Sequence, residues 1–421
     1  MKRNAALLIH YYFPPIHSIG CQRNYAFAQE WQHSVKTVKV LTTTNRDCLP
    51  RDEGLMIDNF DITAVETNDY RTQSARSNKK TTHYTENQKS GILAKLAIKA
   101  INTYPFNRWL GEGGRHYINQ GIQHGKDFLE KHPDAYLYSS FRPYSDHIIA
   151  AELKQLYPKT KWIADFRDAS VDPLYKLYLH KGWQQRFNRN ILKSADKVIT
   201  VSDGVTQNVS DYHNNVQTVR NGVTLRKSEK YFDKYSITYT GSMYGDHRDP
   251  TPMLLAVKRL IDTGEISEKK IQLIYAGKDG KRYQDKVDKV GLKSVFKDYG
   301  LVSSAESLEV QSRSQCNLLM TSAAPGYTGI LTGKIYEYLG AGNPVLCLIS
   351  GIKDEEIEQF FDENQLGTIQ YSADNDLSNL KNWICKNYEQ WIQSQTVTPI
   401  NTESIKNTLS WSNQFKQLIT D

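Results

Sequence analysis

The chain has 421 residues, of which 39% are hydrophobic and 24% charged, and its formal net charge is +7. This length is sufficient for two domains, and an aromatic content of 11% with a mean hydropathy of −0.59 excludes both a disordered chain and a membrane-embedded one. The apolar runs Ala5–Ile9 and Val345–Ile349 are far shorter than the ~18 residues that span a bilayer, so we expect a cytosolic globular protein.

Short apolar runs typical of buried strands alternate with helical stretches along the first half of the chain. The predicted strands are Ala5–His10, Val38–Thr42, Tyr136–Ser139, Trp162–Asp165, Lys197–Val201 and Val216–Arg220. The first apolar run ends at His10 and is followed by Pro14 and Pro15. This order indicates a strand followed by a loop and argues against a secretory signal.

The same alternation begins again after Asn221 and Gly222. Here the predicted strands are Ile237–Gly241, Ile271–Ala276, Asn317–Met320, Val345–Ile349 and Thr368–Tyr371. Strand–helix alternation indicates a parallel sheet with helices on both faces, and two series indicate an α/β protein of two doubly wound, Rossmann-like domains. We place these domains at 1–228 and 229–402, and expect a helix over 403–421 to pack back on the first domain.

The positive charge is concentrated between Arg71 and His116. This segment holds nine Lys and Arg residues against two Glu, which equals the whole net excess. Within it, one face of a predicted helix carries only apolar residues: Ile92, Leu93, Leu96, Ala97, Ala100 and Ile101. Basic residues Lys95, Lys99 and Arg108, followed by Trp109, favour a surface that binds anionic lipid. An ordinary core-facing helix with solvated lysines is the alternative, and nucleic-acid binding is the weakest interpretation because no known binding motif accompanies the patch.

Several familiar nucleotide and metal motifs are excluded by the residues present. A P-loop would need Gly where Thr328 stands and Ser or Thr where Ile335 stands, and no GxGxxG follows the first strand. Asp374 and Asp376 form a DxD triplet, but their surroundings favour a helix-capping turn, so we expect no metal site. The five cysteines lack CxxC spacing and are expected to be reduced packing residues.

Six segments carry further motifs: Tyr12–Arg23, Ala164–Asp168, Ser194–Ser202, Arg220–Val223, Tyr239–Ser242 and Lys334–Val345. Together, in this order and over nearly the whole chain, they resemble the retaining family 4 glycosyltransferases of GT-B fold, in which two Rossmann-like domains face each other across a cleft. The resemblance implies transfer of a sugar from a nucleoside diphosphate, UDP being the expected one, to a hydroxyl acceptor with retention of configuration. With the basic segment in the first, acceptor-binding domain, a lipid-linked or surface polysaccharide precursor is the expected acceptor.

A departing diphosphate requires fixed positive charge and backbone N–H groups, and the residues around Lys334 can supply both. Glu337, at the position of the second Glu of the family's E-x7-E motif, would accept both ribose hydroxyls by resemblance, while Gly329 replaces the first Glu. Ser242 replaces a phosphate-binding Arg of the family. The predicted donor-binding residues are Gly20, Gly241, Ser242, Arg248, Lys278, Val302, Gly329, Thr332, Gly333, Lys334 and Glu337.

The predicted catalytic residues are Asp165, Arg167 and Asp168, at the end of a buried strand. Two carboxylates three residues apart can orient an acceptor hydroxyl or stabilise positive charge at the anomeric carbon. The alternative is an Asp–Arg pair that only caps the next segment. For the whole protein, a sugar-nucleotide epimerase and a non-catalytic nucleotide- or carbohydrate-binding protein remain as alternatives to the transferase, and peripheral association with the inner face of the membrane is expected. No cofactor and no metal are expected.

Overall fold

The computed structural model describes residues 3–16, 19–44, 51, 55–69, 72, 92–171, 176, 178–226, 228, 230–243 and 248–420. The chain divides into two compact units. Unit 1 comprises Met1–Asn221 together with Trp411–Asp421, and unit 2 comprises Gly222–Ser410. No helix of the described ranges is both long enough and apolar enough to span a bilayer.

Unit 1 is built on a seven-stranded sheet of parallel strands in the order β3-β2-β1-β4-β5-β6-β7. The strands are β1 (Ala5–Ile9), β2 (Thr37–Thr43), β3 (Asp61–Val65), β4 (Tyr136–Phe141), β5 (Lys161–Phe166), β6 (Lys197–Thr200) and β7 (Val216–Thr218). The helices are α1 (Ile19–Ser34), α2 (Ile92–Ile101), α3 (Phe106–Leu110), α4 (Gly114–Leu129), α5 (Tyr144–Leu156), α6 (Lys181–Leu192) and α7 (Asp203–Ser210). The chain reverses its direction of travel across the sheet between β1 and β4, and ligands of such sheets bind at the carboxyl ends of the strands at this switch point.

Unit 2 repeats this design with six parallel strands in the order β10-β9-β8-β11-β12-β13. Its strands are β8 (Tyr235–Thr240), β9 (Ile271–Ala276), β10 (Phe296–Asp298), β11 (Cys316–Ala323), β12 (Val345–Gly351) and β13 (Gly367–Tyr371). Its helices are α8 (Thr251–Asp262), α9 (Gly280–Val290), α10 (Ser304–Arg313), α11 (Gly333–Ala341), α12 (Glu355–Asn364), α13 (Ser378–Ser394) and α14 (Thr402–Leu409). The switch point of this sheet lies between β8 and β11.

The fold class expected from the alternation, α/β with two doubly wound parallel sheets, is confirmed. The alternation of apolar runs and helical stretches did not predict two strands, β3 and β10, and both lie at a sheet edge. β3 is largely half-exposed and β10 is three residues long, with two of them exposed. An edge strand that covers little of the core need not be apolar, so a search for apolar runs does not find it.

The boundaries of the units differ from the predicted ones both where the chain enters unit 2 and where it returns to unit 1. The chain enters unit 2 at Gly222 because Val223 N–H donates to the Leu409 carbonyl at 2.7 Å and Arg226 N–H to the Gly340 carbonyl at 2.7 Å. Helix α14 stays in unit 2, where Leu409 is part of the core beside α11. Only the last helix, α15 (Trp411–Ile419), returns to unit 1.

Helix α15 joins the main core of unit 1. Phe415 packs edge-on against Trp31 of α1 with ring centroids 5.0 Å apart, and Trp411 packs edge-on against Phe27 at 5.6 Å. Such aromatic pairs contribute about 0.5–1.5 kcal/mol beyond the area that they bury. Residues from α1, the central strands and the last helix therefore form one hydrophobic cluster.

Candidate functional site

The first group of candidate residues lies at the switch point of unit 2, where β8 ends. Gly241 has φ +114°, a conformation that favours glycine, and its N–H donates to the Ala276 carbonyl at 2.7 Å. A Cβ atom at this position would overlap the Nζ of Lys334. The glycine therefore allows the ammonium group of Lys334 to lie directly against the end of β8.

Lys334 is the second residue of α11, which begins at Gly333. Helix N-termini present unpaired backbone N–H groups and a positive dipole, so this end of α11 and the ammonium group reinforce each other toward an anion. Burial lowers the pKa of Lys334 from its ordinary value, Glu337 opposes this effect, and Arg248 adds to it. An anion placed at this point would favour the charged lysine.

Glu337 lies three residues further along α11, almost one turn on. Its Oε2 accepts a hydrogen bond from Gln311 Nε2 at 2.8 Å, and the same amide group donates to Thr240 Oγ1 at 2.9 Å. Its backbone carbonyl accepts from Arg226 Nη2 at 2.6 Å. Gln311 is fully buried on α10, so the orientation of the Glu337 carboxylate is fixed from two neighbouring elements.

Arg248 and Ser242 belong to the same group, and the contact between them uses the backbone carbonyl of Ser242. The Ser242 carbonyl accepts from Arg248 Nη1 at 3.1 Å and from the Tyr239 hydroxyl at 2.6 Å. The Ser242 carbonyl therefore orients Arg248, and contact of Ser242 with the donor stays a prediction. Lys334 lies against Gly241, Arg248 bonds to the next residue, and Gln311 connects Thr240 to Glu337, so the two cations and the carboxylate share the end of β8.

The loop before α11 is held by an aspartate that sequence reasoning missed. Gly329 has φ +67°, and its N–H donates to both carboxylate oxygens of Asp354, at 3.0 and 2.9 Å. Asp354 also caps α12 by accepting from Ile357 N–H at 3.2 Å. Thr332 precedes α11, and its Oγ1 is buried with no hydrogen-bond partner among the described residues. Thr332 thus has an unsatisfied hydroxyl beside the anion-favouring end of α11.

Lys278 and Val302 are placed less centrally. Lys278 is exposed after β9, and its neighbour Asp279 connects the β8 and β9 ends by accepting from Met243 N–H at 2.8 Å. Val302 is half-buried after β10 and just before α10. The predicted DxD turn forms local hydrogen bonds, since Asp374 Oδ1 accepts from Asp376 N–H and Asp376 Oδ1 from Ser378 N–H, each at 2.9 Å.

In unit 1 Asp165, one of the predicted catalytic residues, belongs to a buried ion pair. The side chain is 0% exposed, and both oxygens accept from Arg23, with Nε at 2.8 Å and Nη2 at 3.0 Å. The Tyr138 hydroxyl donates to the same carboxylate at 2.6 Å. Arg23 also donates to the carbonyls of Val219 and Arg220 and to Asn221 Oδ1. Asp165 therefore orients an arginine that holds the chain after β7, and its catalytic role stays a prediction.

Arg167 points to the carboxyl edge of the sheet. Its Nη2 donates to the Arg142 carbonyl at 2.7 Å, and its Nη1 occupies the place of a side chain at Gly20. Gly20 is thus packed against the guanidinium group of Arg167, and its contact with the donor stays a prediction. Burial, with the Arg167 charge added, lowers the pKa of both His10 and His147 to about 3. Asp168 is exposed whereas Asp165 is buried, so the two carboxylates of the predicted pair lie in different environments.

Only part of the predicted lipid-binding surface lies within the described residues. Leu96 and Ala97 of α2 are exposed, whereas Lys99, Ala100 and Ile101 are half-buried. Trp109 and Leu110 of α3 are 52% and 51% exposed. The side chain of Lys95 lies outside the described residues, as does the basic stretch from 73 to 91.

A neighbouring helix extends this apolar surface in a way that the sequence did not indicate. The ring of Tyr104 stacks on Phe187 of α6 with centroids 4.6 Å apart, and its backbone N–H donates to Gln184 at 3.0 Å. Trp183 of α6 is also exposed. Arg108 lies 3.6 Å from Glu152 of α5. We call the exposed side chains Leu96, Phe106, Trp109, Leu110 and Trp183 the aromatic patch.

No protein-family model matches the sequence, and no curated protein matches it. Solved structures match over nearly the whole chain. Sucrose-phosphate synthase from Thermosynechococcus elongatus has 12% identity and a TM-score of 0.61, with 99% of this chain and 97% of that chain covered. The pneumococcal O-GlcNAc transferase GtfA, in complex with UDP and GlcNAc, has 10% identity and a TM-score of 0.57, with 99% and 98% covered.

The same fold also occurs in a Listeria monocytogenes structure described as a putative UDP-N-acetylglucosamine 2-epimerase. It has 11% identity and a TM-score of 0.51, with 99% of this chain and 95% of that chain covered. At these identities the likeness shows the fold alone, and that fold is GT-B, as the sequence motifs predict. One fold hosts many activities, so the residues of the site determine the function.

Proposed function

We propose that the protein is a glycosyltransferase that takes a sugar from a nucleoside diphosphate, UDP in the first instance, and transfers it to a hydroxyl acceptor. The observation that carries this proposal is the grouping of Lys334, Arg248 and Glu337 at the switch point of unit 2. Two cations and a helix N-terminus suit a diphosphate, and a carboxylate one turn further along the helix suits the two hydroxyls of a ribose.

In this proposal the residues of unit 2 stabilise the leaving group. Cleavage of the glycosidic bond leaves the electron pair on the β-phosphate oxygen, so negative charge grows there in the transition state. Lys334 and the N–H groups of α11 lie where they can interact with that charge more strongly than with the neutral bond. We expect no metal requirement, and we propose retention of configuration because the sequence motifs resemble those of the family 4 enzymes.

The ribose contact is tested by Glu337→Gln, which keeps the size of the side chain and removes its charge. UDP is expected to bind about 10-fold more weakly to the variant, since a hydrogen bond to a charged group contributes about 1.5 kcal/mol or more. Isothermal titration calorimetry with UDP and 2′-deoxy-UDP measures this. The wild type should discriminate between the two ligands, and the variant should discriminate much less.

Glu363→Gln is the matched control, because Glu363 is an exposed glutamate of α12 in the same unit. This control should bind both nucleotides as the wild type does. If Glu337→Gln binds both ligands with unchanged affinity, Glu337 does not contact the ribose and the proposed donor site is wrong.

An epimerase is the second candidate, because the GT-B fold also occurs in the Listeria structure described above. The two activities differ in their need for an acceptor. A transferase releases UDP only when a hydroxyl acceptor, or slowly water, takes the sugar, whereas an epimerase converts the donor alone into an isomer. Incubation with UDP-GlcNAc and UDP-glucose followed by NMR of the sugar separates these activities. Binding of the donor with neither an isomer nor released UDP, even when hydroxyl acceptors are added, would indicate a non-catalytic binding protein.

We further propose that the acceptor is lipid-linked and that unit 1 meets it at a membrane surface. The aromatic patch supports this proposal, since Trp and Leu side chains insert at the interface of a bilayer and Arg and Lys attract anionic headgroups. The segment from Arg71 to His116 supplies the positive charge. The described members of the patch come from α2, α3 and α6, so the surface does not depend on one helix.

The membrane contact predicts the behaviour of a double variant, Trp109→Ser with Leu110→Ser. Flotation with vesicles that contain anionic phosphatidylglycerol should recover at least about 10-fold less of this variant than of the wild type, because two large apolar side chains no longer leave water. Leu301→Ser, at an exposed leucine of unit 2, is the control and should float like the wild type. Equal flotation of wild type and double variant would contradict the membrane proposal.

A further inference from the structure

A groove of about 610 Å³ lies between α5 and α6 of unit 1. Residues 148–155 of α5 and 183–191 of α6 form two of its sides, and residues 104–108 form the third. The lining positions recur at intervals of three and four along each helix, so each helix contributes one continuous face. We call this cavity the α5–α6 groove. No residue of the candidate donor site belongs to it.

The surface that a ligand can reach in the α5–α6 groove is mostly apolar. Tyr104 and Trp183 are 39% and 54% exposed, and Pro105 and Ile191 are half-exposed beside them. The buried ring of Phe187 closes the groove from below. Contiguous apolar surface of this kind marks a ligand-binding groove or an interaction site, because it gains free energy when it leaves water.

The volume of the groove limits its occupant. A methylene group takes about the space of a water molecule in the liquid, about 30 Å³, so the groove has room for one acyl chain of ordinary length. The two chains of a membrane lipid together exceed this space. The groove is open to the surface, so the second chain and the headgroup of such a lipid can stay outside it.

The polar lining adds positive charge at one place. Helix α6 has three basic residues and no acidic one. Of these, Arg186 lines the groove, is exposed and forms no ion pair with any described residue. Arg108 also lines the groove but lies 3.6 Å from Glu152, whose carboxylate offsets its charge. An unpaired guanidinium group beside an apolar groove is suited to the phosphate at the end of an acyl chain.

We propose that the α5–α6 groove binds a single anionic phospholipid, with one acyl chain along the groove and the phosphate at Arg186. Trp183 belongs both to the groove and to the aromatic patch, so a lipid can enter the groove from a bilayer under the patch without crossing water. The inference extends the membrane proposal and rests on it for the source of the lipid. It adds a selectivity for anionic headgroups that an apolar surface alone lacks.

A water-soluble lipid tests the groove without a membrane. Dioctanoyl phosphatidylglycerol, kept below its micelle concentration, should receive saturation from the protein in saturation-transfer NMR, and a titration gives its Kd. The wild type should bind it about 5-fold more tightly than the zwitterionic dioctanoyl phosphatidylcholine, the effect of one basic residue near an anionic headgroup.

Arg186→Gln should bind the two lipids equally, because the variant lacks the charge that distinguishes them. Arg189→Gln is the matched control, since it removes the same charge from the same helix. The guanidinium group of Arg189 donates to the Asp211 carbonyl at 3.2 Å and does not line the groove. This control should keep the wild-type preference, whereas equal losses in the two variants would show diffuse attraction and would contradict a site at Arg186.

A second set of variants tests the groove itself. Ile191→Trp places a larger ring in the apolar space and should weaken binding of both lipids at least about 10-fold, the effect of excluding about two methylene groups. Ile122→Trp makes the same change at a half-buried isoleucine of α4, outside the groove, and should bind both lipids normally. Asn190→Trp replaces the first variant if its melting temperature shows that it does not fold.

Three results would overturn the proposal: no binding of dioctanoyl phosphatidylglycerol, equal binding of both lipids by the wild type, or unchanged binding by folded variants with a filled groove. A concentration-dependent dimer that Ile191→Trp dissociates would assign the groove to a second copy of the chain and would also overturn it. Analytical ultracentrifugation of the same preparations measures this.

The outcomes separate this inference from the proposals on which the function depends. If the soluble lipid binds but the wild type does not float with vesicles, the groove stands and the membrane proposal is wrong. If the wild type floats but binds no soluble lipid, the aromatic patch alone meets the bilayer and the groove is wrong. UDP affinity depends on unit 2, so it should be equal in the wild type and in Ile191→Trp.

Discussion

Replacing Asp165 by alanine is expected to lower the free energy of unfolding by about 3–5 kcal/mol, the usual cost of leaving one partner of a buried ion pair without its counter-charge. Arg23 is only 2% exposed and would keep its charge inside the core. Tyr138 would lose its acceptor as well. Urea denaturation of the wild type and the variant measures the difference, which is a large fraction of the stability of a typical domain.

Asp168→Ala is the matched control for this experiment, because it removes a carboxylate three residues away that is exposed. Its unfolding free energy should stay within about 0.5 kcal/mol of the wild type. The catalytic role predicted from the sequence has the opposite signature. If Asp165→Ala keeps its full stability and loses only turnover, the carboxylate acts on a substrate and the positioning role is wrong.

Replacing Lys334 by methionine is expected to weaken UDP binding by about 10- to 100-fold. The loss corresponds to about 1.5–3 kcal/mol for a charge-assisted contact with the diphosphate in a partly enclosed site. Methionine keeps most of the length and the apolar contacts of the lysine stem, so the change isolates the charge. Lys278→Met removes an exposed lysine from the next strand end and serves as the control, with little effect expected.

The pH dependence of UDP binding gives an independent test of Lys334. Its pKa is lowered by burial, so the free protein loses this charge at a lower pH than an ordinary lysine does. Bound diphosphate favours the charged form, and affinity should therefore fall as the pH rises through the pKa of the free protein. Lys334→Arg should bind UDP without that decline, because a guanidinium group stays charged. A wild-type affinity that does not change with alkaline pH would argue against the contact.

The fold was accessible from the sequence because buried parallel strands are continuous apolar runs. Ala5–Ile9 and Val345–Ile349 are fully buried, and every residue in them is apolar. The strands that the sequence did not predict, β3 and β10, each pair with only one other strand and have exposed residues. The start of α11 could also be predicted, because a glycine and a lysine at the beginning of a helix are local features of the sequence.

The side-chain partners were not accessible, because they come from distant parts of the chain. Gln311 of α10 orients Glu337, and nothing in the neighbourhood of a glutamine indicates this. The same holds for Asp165, whose partner Arg23 lies 142 positions earlier. A carboxylate at a strand's carboxyl end can face a ligand or a buried arginine, and only the packing of α1 on the sheet decides between them.

The pairing of Val223 with the end of α14 has a practical consequence for dissecting the protein. The Val223 N–H donates to Leu409, and the strand-like contact continues to Ser410, so the two ends of unit 2 are neighbours. Residues 222–410 thus form one continuous segment whose two ends are hydrogen-bonded to each other. This segment is suited to separate expression. The remaining unit is discontinuous, and truncation at 410 would remove the last helix from its core. Joining Asn221 to Trp411 with a short linker is the way to produce it alone.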